Sequence, residues 1–314
     1  MSERPSRAAL VATAGEIIGA GSRSFAAASR LLDRTSRERA WLLYAWCRAC
    51  DDLIDGQVLG HGSEAAADPA ARLAAIRERT DRVLAGEWVG DPAFDGLRFI
   101  VAETGMPRAL IEDLIAGFAL DAEGWRPAGE EDLYRYCYHV AGAVGCMMAV
   151  AMGVDAADAD TLDRASDLGI AFQLGNIARD IGEDHAAGRC YLPETWLGER
   201  GIVRERLMDP AFRPALAGLA ARLVDRSAAY EASARIGTQR LRFRAAWAVL
   251  AAARIYGGIG RKAVAAGERA WERRMATSAG EKLAAIGVSW REAVMRGRLY
   301  PPAPRPVGLW TRPH

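Results

Sequence analysis

Asp51-Asp52-Leu53-Ile54-Asp55 and Asn176-Ile177-Ala178-Arg179-Asp180-Ile181-Gly182-Glu183-Asp184 decide how this chain reads. Each places carboxylates one helical turn apart within a long apolar run, and residues three and four apart on a helix share a face. Arg48, Asp51, Asp52 and Asp55 form one polar stripe on a segment that from Ala40 to Leu53 is otherwise Trp, Leu, Tyr, Ala and Cys. Gln173, Asn176, Asp180 and Asp184 repeat the design at i, i+3, i+7 and i+11 in a run containing Leu168, Ile170, Phe172, Leu174 and Ile177. A single acidic i,i+4 pair is ordinarily a solvated face. Two, both inside apolar helices, predict a cavity faced by four or more acidic groups.

Gathering those groups without counter-ions would cost several kcal/mol in repulsion and desolvation. Divalent cations remove that cost. Magnesium prefers carboxylate oxygen, keeps several waters and is usually completed by substrate phosphate, so the pattern predicts a phosphorylated substrate.

The 314 residues are 51% apolar, enough for a large buried core. The polar stretches Gly56 to Pro69, Gly124 to Glu130 and Gly198 to Pro214 are too short and mixed for flexible linkers, which predicts one domain over 1–314, with a core of about 8–298 and a Pro-rich tail. Ala, Leu, Arg and Glu dominate and period-2 alternation is missing, so the fold class is all-α.

A net charge of +1 with interspersed signs gives no basic field for nucleic acid. Only Lys262 and Lys282 are lysine; the remaining cations are arginines, whose planar forks suit phosphate at chosen positions. Five cysteines and no secretory signal at the N-terminus point to a reducing cytoplasm. Cys47 and Cys50 lack a second pair or suitably spaced histidines, so they read as small buried side chains. Cys137 to Val154 is nearly continuous in apolar residues, but it is rich in Ala and Gly and contains His139, which favours a core helix over a membrane span. Its Gly142, Ala143, Gly145 and Ala149 fit either room for a long apolar ligand or close helix packing.

The residues also resemble a known family, the squalene/phytoene synthases, and within it the bacterial phytoene synthase branch. Gly21-Ser22-Arg23-Ser24-Phe25 comes first, then Leu43 to Arg48 running into Asp51 to Asp55, then Tyr136-Cys137-Tyr138-His139-Val140-Ala141-Gly142. Ala171 to Asp180, Gly188-Arg189-Cys190-Tyr191-Leu192-Pro193 and the Pro-rich ending Tyr300 to Pro313 follow in the expected order. The resemblance implies an all-α isoprenoid-synthase fold round a central cavity, with the two aspartate motifs facing across its mouth. It further implies head-to-head condensation of two geranylgeranyl diphosphates, through prephytoene diphosphate, to phytoene, without a redox cofactor.

On that reading Asp51, Asp55, Asn176, Asp180 and Asp184 hold magnesium or manganese. Arg48, Ser22 and Ser24 beside Arg23, with Arg189 and Tyr191 on a closing loop, contact diphosphate, and Gln173 orients ligand or substrate. Tyr136 stands near the reacting centre, while Tyr256 and Arg273 match positions near the second diphosphate. Phe25, Val140, Val144 and Leu174 suit apolar walls that keep water from a carbocation. The competing readings are helix capping for Ser22 and Ser24, an ion pair to Asp52 for Arg48, a packed core residue for Tyr136 and a solvated side chain for Arg273. Asp52 and Glu183 are off the best ligand spacing.

Squalene or dehydrosqualene synthesis from farnesyl diphosphate, a terpene cyclase and a non-catalytic relative are the alternatives. Because substrate and product are both lipids, peripheral contact with the inner membrane surface is expected, as is contact with other carotenoid enzymes.

Overall fold

In the computed structural model, which describes residues 4–55 and 68–313, every regular element is helical. The side chains of Arg23 and Asp55 lie outside the described residues, and so do the roles expected of them. The α-helices are α1 (Arg7–Gly21), α2 (Arg23–Ser29), α3 (Arg34–Asp55), α4 (Pro69–Leu84), α5 (Pro92–Thr104), α6 (Arg108–Ala122), α7 (Glu130–Cys137), α8 (Ala143–Ala151), α9 (Ala159–Ala186), α10 (Glu194–Glu199), α11 (Arg213–Gly237), α12 (Phe243–Ala266) and α13 (Ala279–Leu299). Their ends follow local chemistry. Ser6, Ser22, Asp91 and Asp158 each accept a hydrogen bond from a first-turn N–H, and Ser278 with Glu281 forms a capping box. Gly105 stops α5 at φ 64°, a left-handed turn that glycine takes without strain.

The long α9 packs against α8, α11 and α12 and divides two cores. One gathers Trp46, Phe94, Ile111 and Met147; the other gathers Ile170, Trp196, Leu219 and Tyr230.

The apolar segment beginning at Cys137 is not one α-helix. Tyr138–Gly142 winds as a π-helix between α7 and α8, which re-aims the side chains that follow. A Cβ on Gly169 would fall on the Ala141 carbonyl, and one on Gly145 on the Ala165 carbonyl, so glycine is what lets α8 and α9 close together. Gly142 and Ala143 therefore serve packing, whereas Gly145 and Ala149 also border a central cavity. Among the described residues no helix is long and apolar enough to cross a membrane.

The Pro-rich tail is a strap. Arg305 forks onto the fully buried Asp167 of α9 at 2.9 and 2.6 Å, the Trp310 backbone N–H donates to Tyr230 Oη at 3.1 Å, and Arg312 reaches Asp163 at 2.8 Å.

Candidate active site

Two spaces meet beside α9. The first is an apolar cavity of about 360 Å³, walled by Phe25 and Tyr44 from α2 and α3, Val144 and Met148 from α8, Phe172 from α9 and Val249 from α12. The second is a polar basin of about 200 Å³ carrying Asp51, Asp121, Asp180, Asp184 and Arg189, with Tyr136 and Tyr191 in its wall. Gln173 and Asn176 border both spaces, and Asn176 Nδ2 donates to Gln173 Oε1 at 3.4 Å.

The sequence of α9 produces this junction. Gln173, Asn176, Asp180 and Asp184 lie along one face while Leu174, Ala178 and Ile181 are buried. Leu174, expected in the cavity wall, is fully buried in the core instead, because it sits one residue round the helix from Gln173; Leu168 and Phe172 border the cavity.

Four carboxylates and one arginine in the basin wall leave excess negative charge. Burial pushes the Asp184 carboxyl up to about 7, helped by Asp180, Glu183 and Asp121, while Arg189 Nε, 3.7 Å away, acts in the opposite direction. Asp180 is held by Arg179, whose Nε donates at 2.6 Å, and by Arg274 at 3.7 Å, which also reaches Glu183 at 3.2 Å. The oxygen donors Asp51, Asn176, Asp180 and Asp184 suit a hard divalent cation. Among the described residues no three acidic, histidine or cysteine side chains converge tightly enough to hold an ion alone. That donor set fits magnesium, whose shell is usually completed by water and substrate phosphate.

Asp121, at the end of α6, was not anticipated. It accepts hydrogen bonds from Tyr136 Oη at 3.0 Å and Tyr191 Oη at 3.0 Å, binding the two rings to one carboxylate. Tyr136 is stacked between Trp125, 5.5 Å away, and Tyr191, 4.8 Å away, and burial raises its phenol well above the ordinary range. An acid near a helix C-terminus opposes the helix dipole, and that was the one available signal.

The remaining residues divide. Ser22 caps α2 through Phe25 N, and its hydroxyl also lies 3.4 Å from Tyr256 Oη at the cavity wall. Ser24 borders neither space. Arg48 pairs with Asp52 at 2.7 Å, yet its Nε is buried without a partner. Arg273 is exposed and borders neither space; its neighbour Arg274 is the one that reaches α9. Tyr256 packs on Phe172 at 4.8 Å. Tyr138 and His139 turn to Asp113, away from both spaces.

A helical shell round an apolar cavity, with two aspartate-bearing helices meeting at an acidic basin, defines an all-α isoprenoid synthase. The chain belongs to the squalene/phytoene synthase family, whose model matches residues 18–281. It is 47% identical over 295 residues to the 15-cis-phytoene synthase of Enterobacter agglomerans, covering 93% of this chain and 99% of that one. It is 45% identical over 305 residues to the 15-cis-phytoene synthase of a Paracoccus species, covering 97% and 98%. Among solved structures it is similar to a dehydrosqualene synthase in complex with ligand, with a TM-score of 0.79 and 25% identity over 90% of this chain and 96% of that one.

Proposed function

We propose that this chain is a prenyltransferase that joins two geranylgeranyl diphosphates head to head into phytoene. One observation carries the substrate class. The apolar cavity follows α9 from Asn176 to Thr161, 15 residues or about 22 Å of helix, and at Asn176 it meets the acidic basin. A ligand with a long hydrocarbon tail and a charged head matches that pair of spaces. The walls come from α2 and α3 as well as α12, which supports treating 1–314 as one functional domain.

Asp51, Asn176, Asp180 and Asp184, with Asp55, would hold magnesium or manganese, which neutralises the charge growing on departing diphosphate. Arg189 beside Asp184 and the spare Nε of Arg48 are donors for phosphate oxygen. Tyr136 and Tyr191, held by Asp121, keep their protons at neutral pH and offer aromatic faces to cationic charge. Phe25, Val144 and Phe172 exclude water from that cation.

Chelation tests the arrangement. Product formation from geranylgeranyl diphosphate should stop with EDTA and return with magnesium or manganese. Turnover that survives full chelation would contradict it.

A further inference from the structure

Helix α13 is built the wrong way round for a helix that faces water. Its inward residues are the small Ala285, Ser289 and Ala293, all buried, together with Glu292, which accepts from Arg235 at 3.2 Å and also pairs with Arg254. Its outward residues are large and apolar: Leu283 is 71% exposed, Val294 55%, Trp290 50% and Val288 46%. Five of the eight large apolar side chains exposed among the described residues lie on this one helix, Leu299 being the fifth. Leu283, Trp290 and Val294 fall at i, i+7 and i+11, a single stripe. An ordinary surface helix turns such a stripe inward.

The charges beside the stripe have one sign. Arg291 and Arg298 are exposed and form no ion pair among the described residues. The two acids of α13 are both engaged elsewhere, Glu281 by Lys262 at 2.7 Å and by the helix cap, and Glu292 by the inward arginines. A second copy docked through the same face would have to bury these arginines with no acid of that face to receive them. Anionic headgroups would receive them, and Trp290 has the amphipathic ring that settles at a lipid–water boundary.

We infer that α13 lies in the surface of an anionic lipid bilayer, with Leu283, Trp290 and Val294 in the acyl boundary and Arg291 and Arg298 at the headgroups. The inference rests on the proposed reaction only in that a lipid substrate and product make such a surface useful.

Flotation of the full chain with phosphatidylcholine vesicles, with and without phosphatidylglycerol, tests it. Trp290→Ser/Val294→Ser should partition about tenfold or more weakly, because two apolar side chains no longer enter lipid. Arg291→Glu/Arg298→Glu should lose the preference for phosphatidylglycerol, a preference that added salt also weakens in the parent. Both variants should keep parental turnover in detergent micelles, which reports that they fold. Equal partitioning by parent and variants overturns the inference, and so does a parental dimer that Trp290→Ser/Val294→Ser converts to monomer. Vesicle binding is read without turnover, so a failure here leaves the reaction standing, and absent turnover with intact binding would fault the reaction alone.

Discussion

Tyr136 and Tyr191 stack 4.8 Å apart at 18° between their planes, and both phenols donate to the same acceptor, Asp121. The pair therefore works as one wall of the acidic basin. Asp121→Asn should leave one phenol poorly matched in a buried site and cost about 1–3 kcal/mol of stability. Turnover should fall roughly ten- to a hundredfold if the wall orients the groups that hold diphosphate. Thermal melting and initial rates of the variant beside Tyr191→Phe check both.

Asp51 and Asp180 face the basin from α3 and α9. Asp51→Asn and Asp180→Asn keep the shape and remove the charge, so each should lower turnover by roughly a hundredfold or more while far-ultraviolet circular dichroism and melting stay close to parental. Unchanged rates in both would remove the aspartates from the chemistry.

Asp184 gives the apoprotein a pH signature. Its carboxyl is pushed up to about 7 by burial, with Asp180, Glu183 and Asp121 adding to the rise. Between the ordinary carboxylate range and that value the folded chain holds a proton the unfolded chain has released, so stability falls as pH rises through this window. Melting temperature of chelated protein should drop between about pH 4 and pH 7, and Asp184→Asn should lack that component. Magnesium should restore more at the higher pH, where the carboxylate it meets is charged.

Gly169 sits where a Cβ would strike the Ala141 carbonyl. Gly169→Ala should force the π-helix Tyr138–Gly142 from α9 and cost about 1–3 kcal/mol, read in denaturant unfolding. Gly175, a helical glycine of α9 with open space around it, is the control: Gly175→Ala should be neutral or stabilising.

Much of the site is legible in the sequence because it lies on one helix. The spacing of Gln173, Asn176, Asp180 and Asp184 needs only the 3.6-residue period to be placed on one face. Asp121 and Tyr191 are different: they are 70 residues apart, and their contact exists only because the chain returns past α6 after α9. Helical spacing fails for Arg273 and Arg274, which lie in the irregular connection between α12 and α13, where a one-residue step decides which side chain reaches Asp180. The π-helix at Tyr138–Gly142 likewise leaves no mark in hydrophobic periodicity. Arg305, one arginine among many in the sequence, becomes the partner of a fully buried aspartate only through the tail's path over α9.

The α9 cavity and its basin are expected to take two twenty-carbon prenyl diphosphates. Purified protein with magnesium should be given geranylgeranyl diphosphate or farnesyl diphosphate, with and without NADPH, and the hydrocarbons identified by mass spectrometry. Phytoene from the longer substrate, independent of NADPH, is the expected result. Squalene-type products from farnesyl diphosphate alone, or no hydrocarbon from either, would contradict it.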